Sequence, residues 1–230
     1  MDAGYAKEQR FESLNKRTQL LFWILVAVMV LSIIVLVSDF ALAELIKRAM
    51  RGEIVTESEL IAIDNIQTAI WPWQIVLIIA YVVVFFMWIY KANKNLRSLR
   101  AAGLRFTPGW AVGWFFVPIM NLFRPYQIVS EIWKASDPGV DTTHDTSWKA
   151  VPTSPIVGCW FALYLISFFV ARIAIQSIPS GIELSGLLNA TYAYIVYDGL
   201  DIAFLLTTIF MVRGINQLQE AKNELISSTY

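Results

Sequence analysis

The chain has 230 residues, 57% of them hydrophobic and only 16% charged, with a mean hydropathy of +0.56. A soluble domain of this size keeps roughly a quarter of its residues charged, so the composition points away from a water-soluble globule and toward the membrane. Eighteen lysines and arginines balance eighteen aspartates and glutamates, so nucleic acid is not an expected partner. A single cysteine excludes an internal disulfide and any multi-cysteine metal site.

The first segment, 1–19, is polar and carries Lys7, Arg10, Lys16 and Arg17. The apolar run behind it is too long for the core of a signal peptide, so an uncleaved anchor is expected. A hydrocarbon core about 30 Å thick takes about 20 apolar residues at 1.5 Å each. Four segments qualify: 20–37, 71–90, 156–178 and 192–212. After the first, Ala41 to Met50 continues the helix and Gly52 can end it. Thr56-Glu57-Ser58-Glu59 then has the capping-box pattern. Leu60, Ile63, Ile66 and Ile70 follow at helical spacing, which predicts a short amphipathic helix lying on the outer surface.

The second span opens on Trp71-Pro72-Trp73 and closes on Trp88 and Tyr90, as interfacial aromatic belts do. Lys91, Lys94, Arg97, Arg100 and Arg105 follow with no acid between them. That run places its side in the cytoplasm and is expected to meet anionic lipid headgroups. The loop after the third span has no cation, whereas Lys47, Arg48 and Arg51 after the first are a contrary signal, outnumbered by acids from Asp39 to Asp64. On balance both termini (1–19 and 213–230) and the stretch 91–155 are expected to be cytoplasmic, around one membrane domain spanning 20–212.

Between the second and third spans the apolar stretch Trp110 to Phe123 is too short to cross and has the length of a re-entrant or interfacial segment. Pro118 removes a backbone donor in its middle and Arg124-Pro125 closes it. The pattern predicts a half-helix entering from the cytoplasm, a turn near Pro118 to Asn121, and an exit into an interfacial helix within about 109–136. In that helix Tyr126, Val129, Ile132 and Trp133 share one face, and Gln127, Ser130, Glu131 and Lys134 the other. A fifth span over Trp110 to Trp133 would put Arg124-Pro125 in the apolar core and turn the cation-free loop inward; both are unfavourable. Gly109 and Gly113 form a small-xxx-small pair that suits close helix approach. Trp110, Trp114 and Trp133 are expected as anchors at the inner interface.

Gly103-Leu-Arg-Phe-Thr-Pro-Gly-Trp-Ala-Val-Gly-Trp, Val117-Pro118, Asn121-Leu122, Arg124-Pro125-Tyr126-Gln127 and Glu131-Ile-Trp-Lys-Ala-Ser-Asp-Pro138 together resemble the core of a bacterial membrane-protein family catalogued only as a domain of unknown function. The likeness is dense over Leu96 to Trp148. It implies a protein of the bacterial cytoplasmic (inner) membrane, and it implies no activity, cofactor or catalytic residue.

Ionisable side chains within spans are costly and face a partner or a wet cavity. Arg172 in the third span stands six residues from its outer end, and Asp198 six from the outer end of the fourth; Asp201 lies nearly one turn deeper. Matching depth predicts that Arg172 bridges Asp198, Asp201 or both. Such a pair fixes helix register, or it builds a polar site for an ion, proton or small solute. Cys159, in an apolar run, is expected to be buried. His144 stands in a polar stretch with Asp141 and Asp145 and reads as part of a solvated loop.

The fold class expected is therefore an all-α integral membrane protein: four transmembrane helices plus a re-entrant or interfacial hairpin between the second and third. No catalytic constellation, cofactor motif or metal-ligand spacing is visible. The leading expectation is a non-enzymatic accessory, scaffold or regulatory component, with the lipid bilayer and further copies or other membrane proteins as partners. The alternative is a small-solute or ion transporter or channel, with its pathway at the hairpin and the Arg172/Asp198/Asp201 cluster.

Overall fold

A computed structural model describes residues 10–142, 146–179, 181 and 183–228. Among them there is helix and no strand. Six α-helices follow in order: α1 (Asn15–Met50), α2 (Glu57–Ser98), α3 (Pro108–Gly113), α4 (Arg124–Ser136), α5 (Pro155–Gln176) and α6 (Leu184–Ser228). Four of these, α1, α2, α5 and α6, are long and apolar enough to cross a membrane. At 1.5 Å per residue α1, α2 and α6 reach about 54, 63 and 67 Å, well beyond a bilayer core of about 30 Å.

Helix ends follow local chemistry. Gly52 leaves α1 at φ 78°, with the Gly52 and Glu53 amides bonding back to Ala49 and Arg48. This is the αL exit that a glycine supplies without strain. Glu59 Oε2 accepts from the Thr56 backbone N–H at 2.9 Å, the returning half of the capping box. The Thr56 hydroxyl donates to the same oxygen at 2.9 Å.

The amphipathic stretch after Thr56 is not a separate helix lying flat: α2 runs unbroken from Glu57 through Pro72 into the second span, and Leu60 and Ile66 are exposed. No glycine or cap residue follows Ile70 to stop it, and the proline withholds only one ladder hydrogen bond.

The chain forms two compact units. The first takes the described residues of 1–21, 83–161 and 210–230, the second those of 22–82 and 162–209. Of the largest fully buried side chains, all but Leu25 belong to the first unit, Trp88, Trp148, Trp160, Ile128, Ile132 and Met211 among them. In the second unit apolar residues mostly face outward. Across the four spanning candidates only 17% to 28% of the most apolar stretch is buried, as expected where lipid rather than a core satisfies the side chains. Cys159 follows that pattern and is exposed on α5. A lipid-facing helix has no need to bury it.

In the first unit two buried polar side chains of α6 bridge to other parts of the chain. Gln219 donates to Ala92 O (2.9 Å) and Ser136 Oγ (3.1 Å) and accepts from Asn95 Nδ2 (3.0 Å). Lys222 Nζ reaches Ala135 O, Asp137 O, Val140 O and Thr142 Oγ1 at 3.0 to 3.2 Å, covering the C-terminal carbonyls of α4.

The segment between α2 and α5 is helix, turn, helix. Thr107 Oγ1 accepts from Trp110 N to cap α3, and Pro108 takes the first helical position. Pro118 forces Val117 to extended geometry, φ −91° and ψ 111°, which ends the turn Trp114–Phe116. A second short turn, Met120–Leu122, leads into α4. The face of α4 differs from its sequence pattern: Glu131 and Ser130 are buried while Tyr126 is exposed. The Glu131 carboxylate accepts from the backbone N–H groups of Arg105 (2.8 Å) and Phe106 (3.1 Å), and Ser130 bonds Thr153 (2.6 Å). Those bonds offset the cost of burial.

Candidate functional site

In the second unit three helical stripes converge on one cavity. Val35, Asp39 and Leu42 come from α1, Gln67, Trp71 and Gln74 from α2, and Leu187, Thr191, Tyr194 and Asp198 from α6. Each set steps by three or four residues, so each forms a single helix face. Ala190 and the α5–α6 connection at Ile178 and Pro179 complete the wall around about 310 Å³.

Two carboxyl groups dominate it. Asp39 is 7% exposed and Asp198 9%. Gln67 Nε2 donates to Asp39 Oδ1 at 2.7 Å and to Ser38 Oγ at 3.1 Å, and Ser38 Oγ donates to Val35 O at 2.8 Å. The Asp39 and Asp198 carboxyls lie beside each other in the cavity. Asp198 Oδ2 is buried and meets no donor. Either carboxyl, when ionised, brings a negative charge into the cavity.

No basic side chain answers it among the described residues of this unit. Arg48 pairs with Glu53 and Glu59, Arg51 with Glu44 and Glu53, and Lys47 with Glu44 while standing 5.5 Å over the Tyr192 ring.

Arg172 was the partner expected from matching depth. Its side chain is exposed, and neither Asp198 nor Asp201 is paired with it. Depth fixes a residue along its helix but not around it. Arg172 lies two positions, about 200°, from Ala174, which is the buried face of α5 at that level. Asp201 bonds Ser32. The residues that sequence reasoning missed are Asp39 and Gln67. In the sequence Asp39 counts only as one of the acids after the first span, whereas the Gln67, Trp71, Gln74 spacing is a legible signal.

The other predicted site residues lie in the first unit. The Trp110 and Trp114 rings stand 4.8 Å apart, and the Arg124 guanidinium lies 5.2 Å from Trp114 and donates to Gln127 Oε1 at 2.9 Å. Pro125 is buried as the second residue of α4. The amide of Asn121 bonds Val117 O at 2.8 Å, closing the turn at Pro118. The glycine pair does not seat a neighbouring helix: a Cβ at Gly109 would meet nothing within 4 Å, and one at Gly113 meets only the Trp110 ring of its own turn. Close approach occurs instead at Gly214 of α6, where a Cβ would stand 2.7 Å from the Trp133 ring.

The basic run is largely engaged within the protein. Lys91 and Lys94 each reach Glu12 at 3.0 Å, and together they hold that carboxyl down to about 2, Lys94 contributing most. Arg97 donates to Phe106 O and Asn93 O, both at 3.3 Å. The Arg105 guanidinium lies 5.5 Å from the Phe106 ring. Arg100 adopts φ 59° at the end of α2, where the Arg100 and Ala101 amides bond back to Arg97 and Leu96. Lipid headgroups would compete with these partners. His144 and Asp145 lie outside the described residues.

Fold and site together define a multi-pass helical membrane protein. Its residues 51–217 match the family described as Domain of unknown function (DUF4328), and the chain belongs to that family. No curated protein and no solved structure matches it.

Proposed function

We propose that this is a non-enzymatic, cation-binding membrane protein, and that the cavity of Asp39 and Asp198 is where the cation sits. One observation carries the reading: a carboxyl pair, each member more than nine-tenths buried, has no basic partner among the described residues and leaves Asp198 Oδ2 without a donor. Intramembrane ionisable groups left so are functional by default, because an uncompensated charge in a helix bundle costs several kcal/mol. A solute carrying positive charge removes that cost. The test uses the full chain in lipid nanodiscs, following thermal stability against sodium, potassium, magnesium and alkylammonium salts at constant ionic strength. At least one should stabilise the protein saturably, and Asp198→Asn should abolish the effect. Indifference to all four sinks the reading.

The topology proposed with it keeps both termini in the cytoplasm of a bacterium and dips the α3–α4 segment into the inner leaflet. Phe116 (67% exposed) and Ile119 (72%) at its tip support the dip, since water does not favour such a cluster. A Cys159→Ser, Ile119→Cys chain carrying a nitroxide should be relaxed by oxygen more than by a water-soluble nickel complex; the reverse order would place the tip in water.

The second reading is an accessory or scaffold acting through association. Its support is the cross-linked first unit, in which Gln219 and Lys222 of α6 hold α2 and α4 together. Purification in mild detergent after cross-linking in the cell would yield a stoichiometric partner or further copies; an isolated monomer would count against it.

A further inference from the structure

Resting on the cation reading, we propose that the solute of the Asp39–Asp198 cavity is a small organic ammonium ion, its charged nitrogen at the carboxyl pair and its apolar body along Val35, Leu42 and Leu187.

The size of the cavity argues first. At about 310 Å³ it holds the equivalent of about ten waters and falls at the lower end of ligand pockets, roughly 300–1,000 Å³. A bare inorganic ion would fill a small part of it. Donor chemistry argues second. A closed transition-metal site takes about four thiolate, imidazole or carboxylate ligands, and no group of three or more such side chains occurs among the described residues. Two adjoining buried carboxyls with no basic neighbour among the described residues suit a positively charged group. An alkylammonium carries several N–H groups, enough to serve the donor-free Asp198 Oδ2 and an oxygen of Asp39 together.

The walls argue third. Beyond the carboxyl pair they offer the Gln67 and Gln74 amides, the aromatic residues Trp71 and Tyr194, and an aliphatic majority. Aromatic rings favour organic cations over neutral isosteres, and aliphatic walls favour a carbon body over a hydrated ion. Gln67 Nε2 is already committed to Asp39 and Ser38, which fixes one carboxyl in place before a ligand arrives.

The experiment uses the full chain in nanodiscs and calorimetric titration with n-butylammonium, tetramethylammonium, 1-butanol, sodium and potassium. Expected is saturable binding of butylammonium, at least tenfold weaker binding of 1-butanol, and at least tenfold loss with Asp39→Asn or Asp198→Asn. Leu187→Trp, which fills the cavity and spares both carboxyls, should abolish ammonium binding and keeps the proposal open to test even where an aspartate variant fails to fold. Butanol binding as tightly as butylammonium would overturn the proposal, reducing the cavity to an apolar hole. Ammonium binding untouched by Leu187→Trp would overturn it as well. Sodium or potassium binding that needs Asp198, with no ammonium binding, overturns this proposal and leaves the cation reading standing; silence from every cation takes both.

Discussion

Gln219 Oε1 accepts a hydrogen bond from Asn95 Nδ2 at 3.0 Å, joining side chains 124 positions apart in a fully buried setting. The same asparagine holds the main chain of Glu12, donating to its carbonyl at 2.9 Å and accepting from its N–H at 3.3 Å. One turn further along α6, Lys222 meets four acceptors at the end of α4. α6 thereby fastens three other parts of the first unit through polar groups shielded from water, where such bonds are costly to lose.

Lys222→Met keeps much of the stem and removes the ammonium. Carbonyls of Ala135, Asp137 and Val140 then lose a buried donor, which should cost about 3 kcal/mol. Hydrogen exchange should accelerate at the end of α4 and in the following loop while the spanning parts of α1 and α2 keep their protection. Uniform acceleration across the chain would show that Lys222 is not a local fastener.

Glu12 gives a pH dependence with a definite sign. Its carboxyl, ordinarily near 4.5, is held down to about 2 by Lys94 and then Lys91. A depressed acid stabilises the folded state above its unfolded value, and that contribution disappears as pH falls from about 4.5 toward 2. The group is exposed, so solvent screening keeps the effect small. Amides at Ser13 and Leu14 should exchange faster, after correction for intrinsic rates, across that window in the native chain, and Glu12→Gln should already be fast at neutral pH with no further change.

Much of this architecture was legible from composition and spacing. Four apolar runs gave the spans, Gly52 the end of α1, and Val117-Pro118 the break after α3, because each is dictated by a local rule that nothing distant overrides. What escaped depended on rotation or on distant partners. Arg172 faces away from Asp198 and Asp201, and spacing along a helix does not give the azimuth. Glu131 looked like a solvent face until two backbone N–H groups came to it from Arg105 and Phe106, 26 and 25 positions away. Arg100, a non-glycine residue, sits in a left-handed turn as Gly103 does, and no residue type at position 100 announces it. Asp39 stands two residues past the apolar run that ends at Val37 and counts there only among the acids after the span; its place in the cavity depends on partners from α2 and α6.

Burial pushes the Glu131 carboxyl above its ordinary 4.5, the Arg105 and Phe106 amides pulling the other way by less. The folded state then binds a proton more readily than the unfolded one, so this group's contribution is most favourable at low pH and declines as pH rises from about 4.5 through the raised value. Glu131→Gln removes that slope. Subtracting the two stability curves should leave a difference that moves against the native chain as pH rises from about 4.5 through the raised value and then levels. A flat difference would mean that the two backbone donors fully compensate burial.

Gly214 separates packing from helix propensity. A methyl group there would meet the Trp133 ring at 2.7 and 2.9 Å, closer than carbon atoms approach, and the ring belongs to α4 in the same unit. Either the indole swings out of its place or the helices part, and overpacking of this kind costs about 1–3 kcal/mol. In an open position the same change reduces the freedom of the unfolded chain and gains up to about 1 kcal/mol. Gly199 of α6 is such a position, with nothing within 4 Å of its added Cβ. Gly214→Ala should therefore lower the unfolding midpoint and Gly199→Ala should leave it equal or higher. The double variant Gly214→Ala, Trp133→Leu tests the cause: if the clash is the mechanism, the glycine substitution becomes harmless once the indole is gone, whereas an unchanged penalty would assign the effect to the backbone of α6 itself.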